Sequence, residues 1–180
     1  VVEAAVKAGV KWFLNTGTIW QNYNVEPYSD TYCPVNLYAA SKQAFMDMAK
    51  YYTEVSDIRF CTLKLCDTYG ANDTRRKIVA LFEQIAKTGE CLKMSPGEQK
   101  LDIVHIDNVV RDFEALAEKL DNGEQLREEY VVSSGRQKSL KEIAKQYEID
   151  HQVILNIEWG GRPYRKREVM VPYIGHQLPK

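Results

Sequence analysis

Residues 36–45, NLYAASKQAF, decide how this chain is read. The larger side chains recur at Tyr38, Phe45, Met48 and Tyr52, a stripe that predicts a helix over 37–54. On such a helix Tyr38 and Lys42 stand one turn apart on the same face. Of the eleven tyrosines, Tyr38 alone has a lysine at the fourth position after it. From spacing alone the pair reads either as acid–base chemistry or as ordinary helix surface. The chemical reading has a physical basis: a phenol titrates at about 10, and an ammonium one turn away stabilises the phenolate and lowers that value.

Upstream, VVEAAVKAGVKWFLNTG places Val2, Ala5 and Val6 on one helical face, stops at Gly9 as at a C-terminal cap, and passes directly into the strand-like run Lys11–Leu14. Thr16 ends that strand. A hydroxyl there would complete an acid–base site with Tyr38, because it could hydrogen-bond the same substrate oxygen and hold it for proton transfer. The chain opens in mid-element, which predicts that an earlier part of the fold is missing.

Downstream, helix and strand alternate. RFCTLKLC, 59–66, is a β-rich run. TYGANDTRR supplies turn residues, with Asn72 or Asp73 as the cap of a helix carrying Ile78, Leu81, Phe82 and Ile85. KMSPGEQ reads as a turn and LDIVHI, 101–106, as one short strand. Asp107 is then the expected cap of a helix bearing Val109, Phe113, Leu116 and Leu120. EYVVS, 129–133, is a further strand, and Ser139 with Glu142 makes a capping box for a helix over 140–147. Strands alternating with helices of this length predict a parallel α/β sheet.

Composition bounds the function. With 44% hydrophobic and 27% charged residues, the chain buries a core and reads as one domain with room for a small second lobe. A net charge of −1 argues against nucleic acid and against a polybasic membrane surface. Cys33, Cys61, Cys66 and Cys91 show no Cys-x-x-Cys spacing, and His105, His151 and His176 are scattered, so no zinc set is expected. Buried, reduced thiols are the expectation. His105 lies in an apolar run and reads as a core histidine. No apolar stretch reaches membrane-spanning length and no signal-peptide layout is present, which predicts a cytoplasmic protein.

Taken in order, Thr16, the Tyr38/Lys42 helix, TLKLCDTYGAND, MSPGEQKLDIVHIDNVV and EEYVVSSGRQKSLKEIA resemble the second half of the extended short-chain dehydrogenase/reductases, the NAD-dependent epimerase/dehydratase family of sugar-nucleotide enzymes. NTGTIWQNYN, PVNLYAASKQAF and WGGRPYRKREVM look more narrowly like the reductases that finish CDP-linked 3,6-dideoxyhexoses of bacterial surface polysaccharides, the abequose and paratose synthase group. The resemblance implies the second half of a Rossmann-type doubly wound parallel sheet, with residues 1–70 and 101–133 in the sheet domain and 71–100 and 134–180 in a small α/β substrate-binding lobe. It also implies that the N-terminal cofactor-binding half is absent, since none of the ten glycines forms the Gly-x-x-Gly-x-x-Gly turn that holds a dinucleotide pyrophosphate.

The resemblance also implies residue roles. Tyr38 exchanges a proton with the sugar oxygen, Lys42 tunes Tyr38 and reaches the nicotinamide ribose of NAD or NADP, and Thr16 positions the substrate oxygen. Arg162, in GGRPYR, matches the family's diphosphate-binding arginine, while the cluster Arg162, Arg165, Lys166 and Arg167 reads equally as a solvated face. Asp67 stands at a substrate-binding position where many relatives carry Asn, and Leu101 where many carry Arg. Dehydratases follow the catalytic threonine with an acidic pair, and this chain has Gly17–Thr18 there, so reduction of a C4 ketone is favoured. A 4-epimerase, or a truncated relative that binds without catalysing, are the other readings. The partners expected are a nucleotide sugar and a second copy of the chain. A homodimer or larger assembly is expected: the resemblance implies pairing through the Tyr38/Lys42 helix, whose Phe45, Met48 and Tyr52 stripe suits either that interface or the core, and the Trp12–Leu14 strand, unpaired on one edge without the earlier half, is expected to self-associate.

Overall fold

The computed structural model describes every residue except 72, 74 and 76. Helix α1 (Val2–Lys7) leads into strand β1 (Trp12–Thr18), and helix α2 (Leu37–Val55) returns the chain to β2 (Arg59–Leu65). These strands run parallel, from Trp12 beside Arg59 to Thr18 beside Leu65, and β7 (Glu129–Val132) joins the far edge of β2 in parallel. The result is the sheet β1-β2-β7.

Alternation sorts the faces of this sheet. Phe13 and Phe60 stack at 5.2 Å between ring centroids, and Phe45 of α2 packs against both. On the opposite face, Cys61 and Leu63 of β2 are buried against Val109, Leu116 and Leu120 of helix α4 (Ile106–Asp121). The sheet is thus covered by α2 on one side and α4 on the other, the layering that parallel strands require. Lys64, in the middle strand, is buried. It forms an ion pair with Glu129 and donates to Asn22 Oδ1 at 3.1 Å.

A second hydrophobic cluster holds Phe82 and Ile85 of α3 (Ile78–Thr88), Met94 of β4 (Leu92–Met94), and Leu140, Ile143 and Ala144 of α5 (Leu140–His151). Strand β9 (Ile157–Trp159) pairs in parallel with β4. Short ladders link the clusters: β3 (Asp67–Tyr69) with β6 (Ile103–His105), and β5 (Lys100–Leu101) with β8 (Lys138–Ser139).

Several expectations change here. The run 101–106 is not one strand: Asp102 separates β5 from β6, and its buried carboxylate accepts from the Ser134 amide at 3.0 Å and from the Ser133 and Ser134 hydroxyls. TYGANDTRR opens with the last residues of a strand, and KMSPGEQ begins within β4. Helix α3 starts from Lys77 with no side-chain cap. Asp73 bonds Arg75 instead, and Asn72 lies outside the described residues. Helix α4 is capped by His105, whose Nδ1 accepts from the Asp107 amide at 3.3 Å, so this histidine is a half-buried cap and not a core residue. The Ser139–Glu142 capping box forms as expected. Of the thiols only Cys61 and Cys66 are buried, while Cys91 is exposed. The α2 stripe divides: Phe45 packs into the aromatic cluster and Met48 faces solvent.

Candidate active site

Strand β1 runs two residues beyond Thr16 and ends in a tightly built turn. Thr18 caps a short 3₁₀ turn, Ile19–Gln21, by accepting from the Trp20 amide at 3.3 Å, and the Gln21 side chain accepts from the Thr18 amide at 2.9 Å. Gln21 is wholly buried and its amide reaches Gln43 on α2 at 2.8 Å. Gly17 makes room for this: a Cβ there would stand 2.8 Å from Thr62 Cγ2 and 2.9 Å from Gln21 Oε1.

The turn is also tied to the start of α2, since the Val35 amide donates to the Trp20 carbonyl at 2.9 Å. Asn36 then caps α2, its Oδ1 accepting from the Ala39 amide at 3.0 Å. Tyr38 therefore emerges in the first helical turn beside Trp20, which meets its ring edge-on. The Lys42 amine lies 5.8 Å from the Tyr38 ring centroid, as the helical spacing requires.

Thr16, Trp20, Tyr38, Asp67, Arg75 and Lys77 line one cleft of about 260 Å³. Lys42 is not on its wall and reaches the site through the Tyr38 ring. Asp67, at the start of β3, is half-buried. Burial pushes its carboxyl up, Lys77 opposes that, and Asp102 adds to it. Lys77 and Arg75 both reach Thr68 Oγ1, at 3.3 and 3.4 Å. Arg75 also forks onto Asp73 with bonds of 2.7 Å, and that hydrogen bonding holds the Asp73 carboxyl down at about 2.

Arg162 lines an adjoining chamber that shares Trp20, Asp67, Thr68 and Lys77 with the cleft. Its place comes from the β4–β9 pair. Gly160 turns with a φ of 79°, Gly161 passes where a Cβ would stand 3.0 Å from Lys93 Cβ, and the Arg162 amide donates to the Met94 carbonyl. Leu101 lies on the same chamber wall. The rest of the basic cluster is not uniformly solvated: the Arg167 guanidinium sits 4.3 Å over the Tyr23 ring and donates to Cys33 Sγ.

The fold thus brings Thr16, Tyr38 and Asp67 onto one cleft and Arg162 onto the next. Trp20, Arg75 and Lys77 were not singled out from sequence. For Trp20 the signal was present, because Thr18-x-x-Gln21 is a capping box that fixes the residue inside it. For Arg75 and Lys77 a turn-rich run gave no periodicity to read. Among the described residues no group of His, Cys, Asp and Glu is arranged to hold a metal, and no helix is long and apolar enough to cross a membrane.

Comparison with known proteins agrees with this architecture. Residues 1–133 match the family model of the NAD dependent epimerase/dehydratase family. The chain is 32% identical over 160 residues to a CDP-abequose synthase of Yersinia pseudotuberculosis, covering 89% of this chain and 54% of that protein. It is 27% identical over 146 residues to one of Salmonella typhimurium, covering 79% and 46%. The chain spans about half the length of the curated relatives it matches. Among solved structures, a UDP-glucose 4-epimerase with UDP-glucose from Thermotoga maritima superposes with a TM-score of 0.83 at 20% identity, over 97% of this chain and 58% of that one. MoeE5 in complex with UDP-glucuronic acid and NAD gives 0.81 at 17% identity, over 97% and 59%. The fold and the family match together establish that the chain belongs to the NAD dependent epimerase/dehydratase family.

Proposed function

We propose that this chain is the catalytic and substrate-binding part of a sugar-nucleotide oxidoreductase that reduces the C4 ketone of a CDP-4-keto-deoxyhexose. The observation that carries the reading is the cleft onto which Thr16, Tyr38 and Asp67 open, continuous through Trp20, Asp67, Thr68 and Lys77 with the chamber of Arg162. The CDP sugar comes from the similarity to CDP-abequose synthases. In this reading residues 1–70 and 101–133 form the sheet domain, and 71–100 with 134–180 the substrate lobe.

The reacting oxygen sits between Tyr38 and Thr16. Tyr38 gives its proton to that oxygen as negative charge develops on it, and the Thr16 hydroxyl donates a second hydrogen bond. Both contacts strengthen toward the transition state and so lower the barrier more than they tighten binding. The Lys42 ammonium near the Tyr38 ring offsets the charge left on the phenolate. Arg162 takes the diphosphate oxygens, which its planar fork matches.

Bound NAD or NADP supplies the hydride. Tyr38, half exposed at the cleft, and Lys42 fit the nicotinamide ribose end of the dinucleotide. The ten glycines supply no pyrophosphate turn, so in this reading that turn belongs to a cofactor-binding half outside these residues. The packing at Gly17 supports reduction over dehydration. A carboxylate directly after Thr16 would need a side chain at Gly17, where Thr62 and Gln21 already fill the space.

The test is turnover of NAD(P)H with a CDP-4-keto-6-deoxyhexose by the enzyme that contains this chain. Tyr38→Phe lowers kcat at least a hundredfold with nucleotide-sugar affinity nearly kept, since general acid catalysis contributes about 10²–10⁴-fold. Arg162→Ala weakens affinity more than it slows turnover. Equal losses in binding and turnover for Tyr38→Phe would make it a structural tyrosine and remove the reading.

A further inference from the structure

A second cavity, of about 410 Å³, lies between helix α5 and the β3–β6 ladder and shares no lining residue with the cleft of Thr16 and Tyr38. Ile143, Tyr147 and Asp150 succeed one another at helical spacing along its α5 wall, so it follows most of that helix, about 18 Å for twelve residues. Its middle is apolar, with Val79, Phe82 and Ile103. Tyr147 adds a ring packed against Phe82 and His151, at 5.5 and 4.1 Å between centroids.

The two ends differ in charge. Where α5 begins, the wall carries Arg136 and Lys138, and neither forms an ion pair among the described residues. The Glu142 carboxylate, which feels the charge of Lys138, is taken up by the Ser139 amide at 2.7 Å. Arg136 stands on a fixed turn: Ser134 Oγ, bonded to the buried Asp102, accepts from the Arg136 amide at 3.2 Å. Where α5 ends, Asp150 is the one carboxylate on the wall among the described residues. Its Oδ1 accepts from Gln146 at 2.8 Å, which leaves Oδ2 to a further donor.

We infer that this cavity is a second ligand site, for a molecule with an anionic group at one end, a flat ring in the middle and an amine at the other, the build of an aminated nucleoside monophosphate. The Arg136 fork and the Lys138 point charge meet the phosphate. The ring lies on Tyr147 in the apolar middle, and its amine donates to Asp150. The α5 macrodipole favours the same direction, with the anion at the start of the helix and the donor at its end. The volume falls in the range of about 300–1,000 Å³ usual for small-molecule sites. This inference does not depend on the nucleotide-sugar reading. Tyr69, Val79, Leu101 and Ile103 line both this cavity and the Arg162 chamber, so the test must tell the two seats apart.

The experiment is calorimetric titration of the 180-residue chain with adenosine monophosphate, with adenosine, and with the monophosphate of the analogue that has hydrogen in place of the amine. Adenosine binds at least tenfold more weakly than its monophosphate, because the charge-assisted bonds are lost, and the deaminated analogue about tenfold more weakly. The double variant Arg136→Ala with Lys138→Ala, both exposed and checked for folding by circular dichroism, brings the monophosphate down to the affinity of adenosine. Asp150→Ala abolishes the preference for the amine and gives an independent reading at the other end. Arg162→Ala leaves all three affinities unchanged. Absence of binding by adenosine monophosphate, binding that survives the double variant, or an amine preference that survives Asp150→Ala overturns the inference. So does loss of binding in Arg162→Ala, which would seat the nucleotide in the neighbouring chamber. None of these outcomes touches the oxidoreductase reading, whose test is turnover.

Discussion

The indole of Trp20 meets the ring of Tyr38 edge-on, with 6.5 Å between centroids and 88° between planes. The contact links two separate elements, the turn after β1 and the start of α2. Trp20 is set by the capped turn after β1, Tyr38 by the first turn of α2, and both face the cleft. An edge-to-face pair contributes about 0.5–1.5 kcal/mol beyond its burial, enough to favour one orientation of the phenol over its neighbours.

Trp20→Leu therefore lowers kcat/KM by up to about tenfold, and Trp20→Phe restores most of it, because Phe keeps an aromatic ring for Tyr38 to meet. Steady-state kinetics on the two variants decides the point. Equal losses in both would mean that indole size alone shapes the cleft.

Gly17→Ala tests the packing that places Thr16. The added Cβ meets Thr62 Cγ2, Gln21 Oε1 and Lys64 Cγ within 3.0 Å. Thr62 is held by the strand register and Gln21 by its bonds to Thr18 and Gln43, so none yields cheaply. The expected cost is about 1–3 kcal/mol, read as a lower urea midpoint with an unchanged slope. A midpoint within experimental error of wild type would show that the turn shifts freely.

Asp67 makes stability depend on pH with a definite sign. Burial raises its carboxyl above the unfolded value of about 3.9, so the fold binds that proton more tightly than the unfolded chain does. The stability this contributes is full below the unfolded value and is lost as pH rises through the folded one. Asp67→Asn, neutral throughout, is accordingly more stable than wild type at pH 7, and the gap closes toward pH 4. Denaturant unfolding at the two pH values measures this. A less stable Asn variant at pH 7 would mean that Lys77 outweighs burial at this carboxylate.

The parts of the fold legible in the sequence were those with a strong local period or a closed chemical signature. Helix α2 showed its stripe, and Ser139 with Glu142 closed the box that the structure contains. The short ladders could not be read this way. Strands β3, β4, β6 and β9 hold three residues each, too few for alternation to declare itself, and exist because a partner from far along the chain pairs with them. Asp102 looked like one more strand residue because its role, satisfying Ser133 and Ser134, is tertiary. The cleft behaves similarly. Tyr38 and Lys42 are marked by spacing, whereas Arg75 and Lys77 acquire their meaning only from the walls that fold beside them.

Helix α2 carries a face that this chain leaves uncovered, and its chemistry predicts self-association. Met48, Tyr51 and Val55 are 63%, 61% and 60% exposed and succeed one another at helical spacing, with exposed Ala44 one turn before them. Phe45, by contrast, is committed to Phe13 and Phe60, so the exposed row is free to pack against another surface without disturbing the core. A second copy of α2 offers a matching row, and a two-fold pairing makes every contact twice. Light scattering of the wild-type chain is therefore expected to give a dimer or larger species. Met48→Glu with Tyr51→Glu places charges at the centre of the row and shifts the chain toward monomer, while circular dichroism stays as in wild type because both side chains are mostly exposed. The competing seat is the outer edge of β1, which pairs with β2 on one side only among the described residues. Association that persists in the double variant would assign it to that edge and remove the role of the α2 face.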